Sequence, residues 1–352
     1  TARPAASAPS YCRCKFGVIG DIQYADCDDG ADFSGYQKRY FRNALQLTRR
    51  AVARWVGEDA VDFAVQLGDA IDGRNREAGQ TDQALAEVLA AFPEDLPRCD
   101  LLGNHELYNF PRARLKHTGL RLRGEGLRGA EPGGESGCYF AFPADGPAGR
   151  WEVICLDAYD MASIGYAADD PRREHAEMML ACLNPRTAMP GADWFEGIPA
   201  ERHRFVPYNG GLGDDQLAWL RQRLAACAEA GKNVILLSHI PILEASTTPK
   251  TVLWNAEQVL KLLRSWEGRS VVAVLAGHDH DGGYAVDPDS GVHHVTFMSP
   301  MICEPGSGRS GAATVCCFED HAELVGHGVF CVESGTHARG RGYARIELRR
   351  LD

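Results

Sequence analysis

The sequence predicts a layered α/β fold in which the sheet is largely parallel. Short apolar runs alternate with helical patterns from Lys15 to His280, and strands that alternate with helices of this length form parallel, layered sheets. After Gly283 short β-type runs dominate, which suggests a second sheet packed against the first. At 352 residues the chain is long enough for one large α/β domain with a sizeable core, and it contains no internal repeat.

Apolar periodicity places the helices. The first helix is amphipathic, with arginines opposite its apolar face, and is expected to pack on the sheet. Its apolar face consists of Tyr40, Ala44, Leu47, Ala51 and Trp55. Thr81 is predicted to cap the second helix, and Gly231 to terminate the third. The predicted helices span residues 36–56, 81–92, 214–230 and 252–267.

Apolar and β-branched runs place the strands. The predicted strands of the first part of the chain span residues 16–20, 63–69, 101–102, 138–142, 151–156, 234–237 and 271–276. The β-type runs of the last part span residues 292–297, 314–318, 322–325 and 343–348.

The domain organisation follows from the segments without periodicity. Residues 1–13 are predicted to be a flexible lead-in, and residues 14–352 a single domain. Residues 185–213 hold several prolines and glycines, and an irregular stretch of that length inside a compact enzyme is usually a functional loop or lid. The chain from about residue 329 is predicted to be an extended C-terminal tail.

The composition is that of an ordinary globular protein. A net charge of −11 argues against a general nucleic-acid or anionic-membrane surface, and no apolar run approaches the ~18 residues that span a bilayer. The 12 cysteines are scattered without a repeated Cys-x-x-Cys pair, as expected for free thiols in a reducing compartment. We therefore expect a cytoplasmic monomer. The acid-free first residues leave open a removed organelle-targeting segment or the edge of an expressed fragment.

Five strand ends carry side chains that can bind a metal ion. Gly68 allows a sharp turn after one strand, and the two carboxylate oxygens of Asp69 can each bind a different cation. A single Asp after a strand is more often a turn former or a helix cap. The other four strand ends carry Asp21-Ile22-Gln23, Gly103-Asn104-His105-Glu106, Ser238-His239 and Gly277-His278-Asp279-His280. Such a recurrence predicts one shared metal site rather than separate turns.

The donors divide into two sets around Asp69, which we expect to bridge two cations. The expected ligands are Asp21, Gln23 and His280 for one cation, and Asn104, His239 and His278 for the other. Oxygen and imidazole donors without thiolates suit catalytic Mn²⁺, Mg²⁺, Fe²⁺ or Zn²⁺. The neutral amide oxygen of Gln23 favours Mn²⁺, with Mg²⁺ as a weaker activator. Two cations about 3.5–4 Å apart position a nucleophile and neutralise a phosphoryl group, so the site predicts hydrolysis of a phosphate ester or anhydride.

The order of these motifs resembles the calcineurin-like metallophosphoesterase superfamily. The motifs that carry the resemblance are Asp21-x-Gln23, Gly68-Asp69-x-x-Asp72, Gly103-Asn104-His105-Glu106, His239 and Gly277-His278-x-His280. From about Phe16 to Gly328 the chain is similar to one branch, the manganese-dependent ADP-ribose/CDP-alcohol diphosphatases. The residues that indicate this branch include Gln23, where most members of the superfamily have His, Leu156-Asp157-Ala158-Tyr159-Asp160, Tyr208-Asn209-Gly210-Gly211 and Asp281-Gly282-Gly283-Tyr284. Residues 185–207 and the chain after Gly328 depart from the branch.

The resemblance implies a four-layer αββα sandwich of two mixed sheets flanked by helices. It implies hydrolysis of ADP-ribose to AMP and ribose 5-phosphate, or of CDP-choline to CMP and phosphocholine. Asp69 and His105 are the predicted catalytic residues, and the resemblance implies that His105 contacts the phosphate and can protonate the leaving group. A phosphate monoester with a second pKa of about 6 leaves readily as an anion, so we expect this acid role to be modest.

A nucleotide also needs a flat apolar surface for its base. Aromatic candidates beside the metal motifs are Phe33, Tyr108, Phe110 and Tyr208, although a single aromatic residue is more often part of the core. Arg39 and Arg42, predicted on the first helix, could reach the second phosphate or simply form a solvated face.

Two alternative functions fit part of this pattern. A phosphomonoesterase or a cyclic-nucleotide phosphodiesterase of the same superfamily would use the same metals. A non-catalytic protein-binding scaffold on this fold is the alternative of another class. Scaffolds of that kind usually lose metal ligands, whereas every ligand position here carries a competent side chain.

Overall fold

The structure is a computed structural model that describes residues 11–32, 35–134, 137–333 and 342–350. Most of the predicted lead-in, residue 33 of the predicted base site and much of the predicted tail lie outside the described residues.

Two mixed sheets form the centre of the fold. The strands are β1 (Cys14–Ile19), β2 (Gly30–Ala31), β3 (Lys38–Arg39), β4 (Phe63–Gln66), β5 (Arg98–Asp100), β6 (Glu131–Pro132), β7 (Phe140–Pro143), β8 (Trp151–Cys155), β9 (Asn233–Ser238), β10 (Val271–Ala276), β11 (Gly283–Val286), β12 (His293–Thr296), β13 (Ala312–Cys317), β14 (Ala322–Gly326), β15 (Cys331–Val332), β16 (Gly342–Tyr343) and β17 (Arg345–Leu348). Six-stranded sheet A has the order β17-β14-β13-β1-β4-β5, and seven-stranded sheet B has the order β11-β12-β10-β9-β8-β7-β6. β1, β4 and β5 are parallel in sheet A, as are β8, β9, β10 and β12 in sheet B.

Helices cover the outer faces of the two sheets. The helices are α1 (Phe41–Arg54), α2 (Arg74–Glu77), α3 (Thr81–Leu89), α4 (Asn104–Asn109), α5 (Arg112–Leu115), α6 (Pro171–Leu183), α7 (Asp214–Glu229) and α8 (Ala256–Leu263). One apolar core lies between the sheets, where the ring centroids of Phe63 and Phe142 are 5.1 Å apart. A second core joins the apolar sides of α1, α3, α7 and α8 to the outer faces of the sheets. The four-layer αββα sandwich is therefore confirmed.

The first helix begins later than predicted. Lys38 and Arg39 form β3, which pairs with Gly30–Ala31, so α1 starts only at Phe41. Beyond Arg54 the chain continues as a π-helical turn over Trp55–Asp59. Arg39 therefore lies on a hairpin and not on the solvated face of a helix.

The last predicted helix is shorter than its apolar pattern, which extends over residues 252–267. It begins at Ala256, because the N–H groups of Leu253 and Trp254 donate to the carbonyls of Pro241 and Gly210.

Apart from the two-stranded ladder of β15 and β16, the C-terminal β-type runs join the two large sheets and do not form a second sheet of their own. β11 and β12 extend sheet B, whereas β13, β14 and β17 add an antiparallel half to sheet A. An alternating apolar pattern predicts a strand but does not specify which sheet the strand joins. The end of the predicted tail, Arg345–Leu348, forms an edge strand of sheet A.

The segment predicted as a lid contains 3₁₀ turns at Pro185–Ala188 and Ala200–Arg202. All 12 cysteines lie within the described ranges and are free thiols. None of the described helices combines the length and the apolar character needed to cross a membrane.

Candidate metal centre

The turn after β4 places Asp69 at the junction of the two sheets. Gly68 and Asp69 have left-handed backbone conformations, with φ values of 104° and 60°. A Cβ atom on Gly103 would lie 2.1 Å from Asp69 Oδ1, so the chain after β5 can approach this carboxylate only because residue 103 is glycine. The main-chain N–H of His105 donates to Asp69 Oδ1 over 2.8 Å and thereby orients the carboxylate.

Glu106 holds this turn in place. Its buried carboxylate accepts hydrogen bonds from the N–H groups of Asp69 at 2.8 Å, Ala70 at 2.7 Å and Gly103 at 2.9 Å. Burial raises the pKa of Glu106 to about 7, and the charge of Asp69 adds to the effect. The role of Glu106 is therefore to fix main-chain groups on both sides of Asp69.

Two histidines of sheet B meet Asp69. One donor atom from each of Asp69, His239 and His278 lies within 4.8 Å of the others, and all three side chains are buried. His239 Nδ1 lies 2.7 Å from the carbonyl of Leu67. A carbonyl only accepts, so Nδ1 carries a proton, and Nε2, which lies 3.5 Å from Asp69 Oδ2, is the nitrogen that can bind a cation once it is unprotonated.

The second predicted set also meets Asp69 and includes His280 of sheet B. Asp21 Oδ1 is 3.8 Å from His280 Nε2, and Gln23 Nε2 is 2.8 Å from the same nitrogen and 3.0 Å from Asp69 Oδ2. A half-turn of the Gln23 amide would bring Oε1 to the position that Nε2 occupies. The amide oxygen would then face both Asp69 and His280, as a metal ligand must.

Asn104 completes the group of predicted ligands. Its Oδ1 accepts a hydrogen bond from the hydroxyl of Tyr159 over 3.1 Å, and the Tyr159 ring centroid lies 6.0 Å from that of His239. The structure thus brings the seven predicted metal ligands into one region, at the ends of β1, β4 and β5 in sheet A and of β9 and β10 in sheet B.

The donor atoms fit a pair of divalent cations. Asp21 Oδ1, Gln23 Oε1 and His239 Nε2 are buried and have no hydrogen-bond partner among the described residues. Leaving a buried donor or acceptor unpaired costs about 1–3 kcal/mol, and bound cations would satisfy such atoms. A set of carboxylate, amide and imidazole donors without thiolate suits Mn²⁺ or a similar hard to borderline cation.

Backbone strain is concentrated at the same residues. The described non-glycine residues with positive φ are Asp21 at 49°, Gln23 at 42°, Ala60 at 48°, Asp69 at 60° and His278 at 70°. All of them except Ala60 belong to the predicted ligand set. Left-handed non-glycine residues are uncommon and persist where the surrounding structure enforces them.

Burial and mutual charge shift the ionisation of these groups. Burial raises the pKa of Asp21 to about 8 and lowers the pKa of His280 to about 3. Burial alone would lower the pKa of His239, but the adjacent carboxylate of Asp69 outweighs it and raises that pKa to about 9. Burial lowers the pKa of His278, which keeps this imidazole neutral. Bound cations would favour ionised carboxylates and neutral imidazoles throughout.

The predicted aromatic substrate contacts separate into two groups. Tyr108 and Tyr208 are half-buried beside the centre, with ring centroids 5.2 Å from His105 and 5.8 Å from His278 respectively. Phe110 is only 1% exposed and belongs to the hydrophobic core, so its ring is not available to a base. Phe33 lies outside the described residues.

The sequence left open whether Arg39 and Arg42 contact a phosphate or form a solvated face. The structure gives the two side chains different environments. Arg42 is exposed and pairs with Asp26 and Asp28 at 2.6 Å and 2.9 Å. The Arg39 side chain is 12% exposed, and its guanidinium is 4.0 Å from Asp72 Oδ2. Its Nε atom is buried without a hydrogen-bond partner in the described part of the chain. The helical apolar pattern of residues 36–56 predicted a helix at Arg39, where the structure has the hairpin of β2 and β3.

The comparisons with known proteins agree with this geometry. The model of the calcineurin-like phosphoesterase family matches residues 14–282. The manganese-dependent ADP-ribose/CDP-alcohol diphosphatase of Oryza sativa subsp. japonica is 35% identical over 88% of this chain and 90% of its own length. The Homo sapiens protein of the same name is 34% identical over 89% and 90%. A dimetal phosphatase from Danio rerio superposes with a TM-score of 0.81 at 31% identity, covering 97% of this chain and 100% of that chain. The chain therefore belongs to the calcineurin-like phosphoesterase family, in the group of the manganese-dependent ADP-ribose/CDP-alcohol diphosphatases.

Proposed function

We propose that this protein hydrolyses the diphosphate linkage of nucleotide substrates with Mn²⁺ as its preferred activator. ADP-ribose and water would give AMP and ribose 5-phosphate, and CDP-choline and water would give CMP and phosphocholine. The observation that carries the proposal is the convergence of carboxylate, amide and imidazole donors around Asp69 at the junction of the sheets. The names of the relatives point to the same substrates.

Asp69 would be shared by both cations. The ligands proposed for one cation are Asp21, Gln23 and His280, and those for the other are Asn104, His239 and His278. When bound, the two cations would polarise the phosphoryl group, supply a nucleophile at neutral pH and neutralise the charge that develops in an in-line displacement.

His105 is placed to donate a hydrogen bond to the reacting phosphate. Its Nδ1 lies 2.8 Å from the main-chain N–H of Gly73, which can only donate. Nδ1 is therefore the acceptor, and in the neutral imidazole Nε2 carries the proton. That Nε2 is 4.0 Å from Asp69 Oδ2, so the proton faces the centre.

Arg39 supplies a positive charge for the second phosphate of a diphosphate. Its guanidinium is nearly buried, and within the described part of the chain its ion pair is a long contact with Asp72. Burial lowers the pKa of His280, and the charge of Arg39 adds to this effect. A guanidinium can bind a phosphate through two parallel hydrogen bonds. Tyr108 and Tyr208 are the described aromatic residues that we propose as contacts for the base or sugar.

A substrate panel tests the proposal. Metal-stripped protein with added Mn²⁺ should release AMP from ADP-ribose and CMP from CDP-choline. Both rates should exceed the rates on cyclic AMP and p-nitrophenyl phosphate. Preference for p-nitrophenyl phosphate or cyclic AMP would assign a phosphomonoesterase or a cyclic-nucleotide phosphodiesterase instead. No metal-dependent turnover of any of the four would indicate a scaffold.

Arg39 and Arg42 provide a matched pair of variants. Arg39→Gln should lower kcat/KM for ADP-ribose by about 10–100-fold, on the order of one charge-assisted bidentate contact, and should leave p-nitrophenyl phosphate hydrolysis nearly unchanged. Arg42→Gln removes an equal charge from the exposed start of α1 and should change neither rate. Equal losses on both substrates in Arg39→Gln would contradict a role at the second phosphate.

A further inference from the structure

Asn209 is fully buried and touches a predicted ligand without belonging to the ligand set. Its Oδ1 lies 2.6 Å from His278 Nε2. Its Nδ2 donates to the carbonyls of Arg204 and Lys250, each over 2.8 Å. Both carbonyls can only accept hydrogen bonds, so the two hydrogens of Nδ2 are committed to them and the amide cannot be reversed.

The fixed amide decides which nitrogen of His278 carries the proton. Since Oδ1 of Asn209 can only accept, the hydrogen bond requires a proton on Nε2 of His278. Nδ1 is then the nitrogen left with a lone pair for a cation. A histidine ligand is generally oriented through its second nitrogen in this way, and loss of such a partner typically weakens metal binding by about 10–100-fold.

His278 needs this support, because its backbone is strained. Its φ is 70°, and its main-chain N–H donates to Asp21 Oδ2 over 2.8 Å. Asp21 thus holds the main chain of His278, and Asn209 holds its ring. The ring also contacts that of His239, with centroids 5.0 Å apart, so a rotated His278 would disturb a second ligand.

We infer that Asn209 is a positioning residue that holds His278 in the Nε2–H tautomer and ties the end of segment 185–213 and the Lys250 loop to the metal centre. The inference rests on the proposed function only in that His278 binds a cation. It does not depend on which phosphate compound is hydrolysed.

Asn184, which immediately precedes segment 185–213 and donates hydrogen bonds to it, offers a matched control. It is also fully buried, and its Nδ2 also donates to two main-chain carbonyls, those of Trp194 and Phe205, over 3.0 Å and 3.1 Å. Its described hydrogen bonds do not involve a predicted metal ligand. Asn184→Ala therefore reports the cost of losing such a clamp alone, whereas Asn209→Ala adds the loss of the contact with His278.

The test measures Mn²⁺ binding to the full-length, metal-stripped proteins by titration calorimetry and by the EPR signal of free Mn²⁺. Asn209→Ala should weaken the affinity of one Mn²⁺ site by about 10–100-fold, and Asn184→Ala should leave both affinities within about twofold of the wild type. Thermal unfolding in EDTA should show similar destabilisation in the two variants. Equal effects of the two variants on Mn²⁺ affinity, or none in Asn209→Ala, would overturn the inference.

A second measurement needs no variant at position 209. In metal-stripped wild-type protein labelled with ¹⁵N-histidine, the shifts of His278, assigned by their absence in His278→Gln, should identify the Nε2–H tautomer. An Nδ1–H tautomer would refute the inference even if Asn209→Ala failed to fold. Mn²⁺ binding without diphosphate hydrolysis would instead refute the proposed function and leave the role of Asn209 intact.

Discussion

The two sheets contribute different chemistry to one centre. The segments after β1, β4 and β5 of sheet A carry oxygen donors, namely Asp21, Gln23, Asp69 and Asn104. The segments after β9 and β10 of sheet B carry imidazoles, namely His239, His278 and His280. Neither sheet alone offers the mixed donor set that we propose for each cation. The centre therefore depends on the packing of sheet A on sheet B as much as on any motif.

Burial shifts one candidate ligand of each sheet away from its charged form. It raises the pKa of Asp21 to about 8, towards the neutral acid, and lowers the pKa of His280 to about 3, towards the neutral base. Cation binding needs the opposite state of Asp21 but the same state of His280. Burial alone would raise the pKa of Asp69, but the neighbouring imidazole of His239 outweighs it and lowers that pKa, while the carboxylate of Asp69 raises the pKa of His239 to about 9. Asp21 of sheet A and His239 of sheet B are therefore the donors that must lose a proton before a cation binds.

Removing the shared carboxylate should have the largest effect. Asp69→Asn should lower kcat for ADP-ribose by at least about 10³-fold, equivalent to about 4 kcal/mol of transition-state stabilisation. It should also reduce the Mn²⁺ stoichiometry measured by calorimetry. Asp62→Asn, an exposed carboxylate that accepts from the N–H of Lys15, is the control and should retain full activity. Full Mn²⁺ stoichiometry in Asp69→Asn would show that both cations bind without a carboxylate shared at position 69.

Asp21→Asn should separate function from stability. Because the folded pKa of Asp21, about 8, lies above its ordinary value of 3.8, the folded protein holds this proton more tightly than the unfolded chain does. The stability of the metal-free protein from this group is therefore complete below about pH 4 and is lost as the pH rises towards 8. Asparagine cannot ionise, so metal-free Asp21→Asn should melt a few degrees higher than the wild type at pH 8 and equally at pH 4. Activity should fall by about 100-fold.

Calorimetric unfolding in EDTA at several pH values checks this expectation. If Asp21→Asn and the wild type have the same melting temperature at every pH, the folded protein does not hold Asp21 in its protonated form.

Glu106→Gln tests how sheet A positions the shared ligand. Glutamine has one acceptor oxygen and would turn its NH₂ group towards one of the N–H donors of Asp69, Ala70 and Gly103. We expect about a 10–100-fold loss of Mn²⁺ affinity, as for other residues that orient ligands. Mn²⁺ titrations of activity and calorimetry measure this loss. Unchanged affinity would mean that the glycine turn orients Asp69 without Glu106.

Gln23→His should have the smallest effect, because it replaces one competent ligand by another. An imidazole at position 23 would make the donors of sheet A more like those of sheet B. It should shift the metal preference of the activity from Mn²⁺ towards Zn²⁺ by several-fold. The ratio of initial rates with the two metals measures the shift. The same ratio in variant and wild type would show that the amide oxygen of Gln23 does not set the preference.

The sequence was sufficient to predict which candidate ligands the fold brings together, because each of them follows an apolar strand with a glycine or a polar neighbour. Asp69 after Gly68 and His278 after Gly277 are local signals of this kind. The residues that act through these ligands lack such a signal. Asn209 lies in an irregular segment, and its contact with His278 exists only after the sheets have packed.

The fold was predictable to a similar extent. Most of the longer strands and four of the eight described helices, α1, α3, α7 and α8, follow from periodicity, but the sheet that β13 and β14 join depends on long-range pairing. Helix α6 has an N-cap signal in Asp170-Pro171, but it buries only Ala176 and Leu180 and so lacks the broad apolar face that predicts a helix. Phe110 was predicted as a substrate contact because it lies beside a metal motif in the sequence, but its side chain belongs entirely to the core.

The left-handed residues of the centre limit how this enzyme can be made more thermostable. A left-handed non-glycine residue destabilises the folded state by about 1–3 kcal/mol. Replacing Asp21, Gln23, Asp69 or His278 by glycine would remove this strain but would also remove a metal-donor side chain. A consensus or ancestral redesign that places glycine at these positions would give a more stable but inactive protein. Ala60 is the described non-glycine residue with a left-handed backbone outside the ligand set, so Ala60→Gly relaxes a turn without removing a donor.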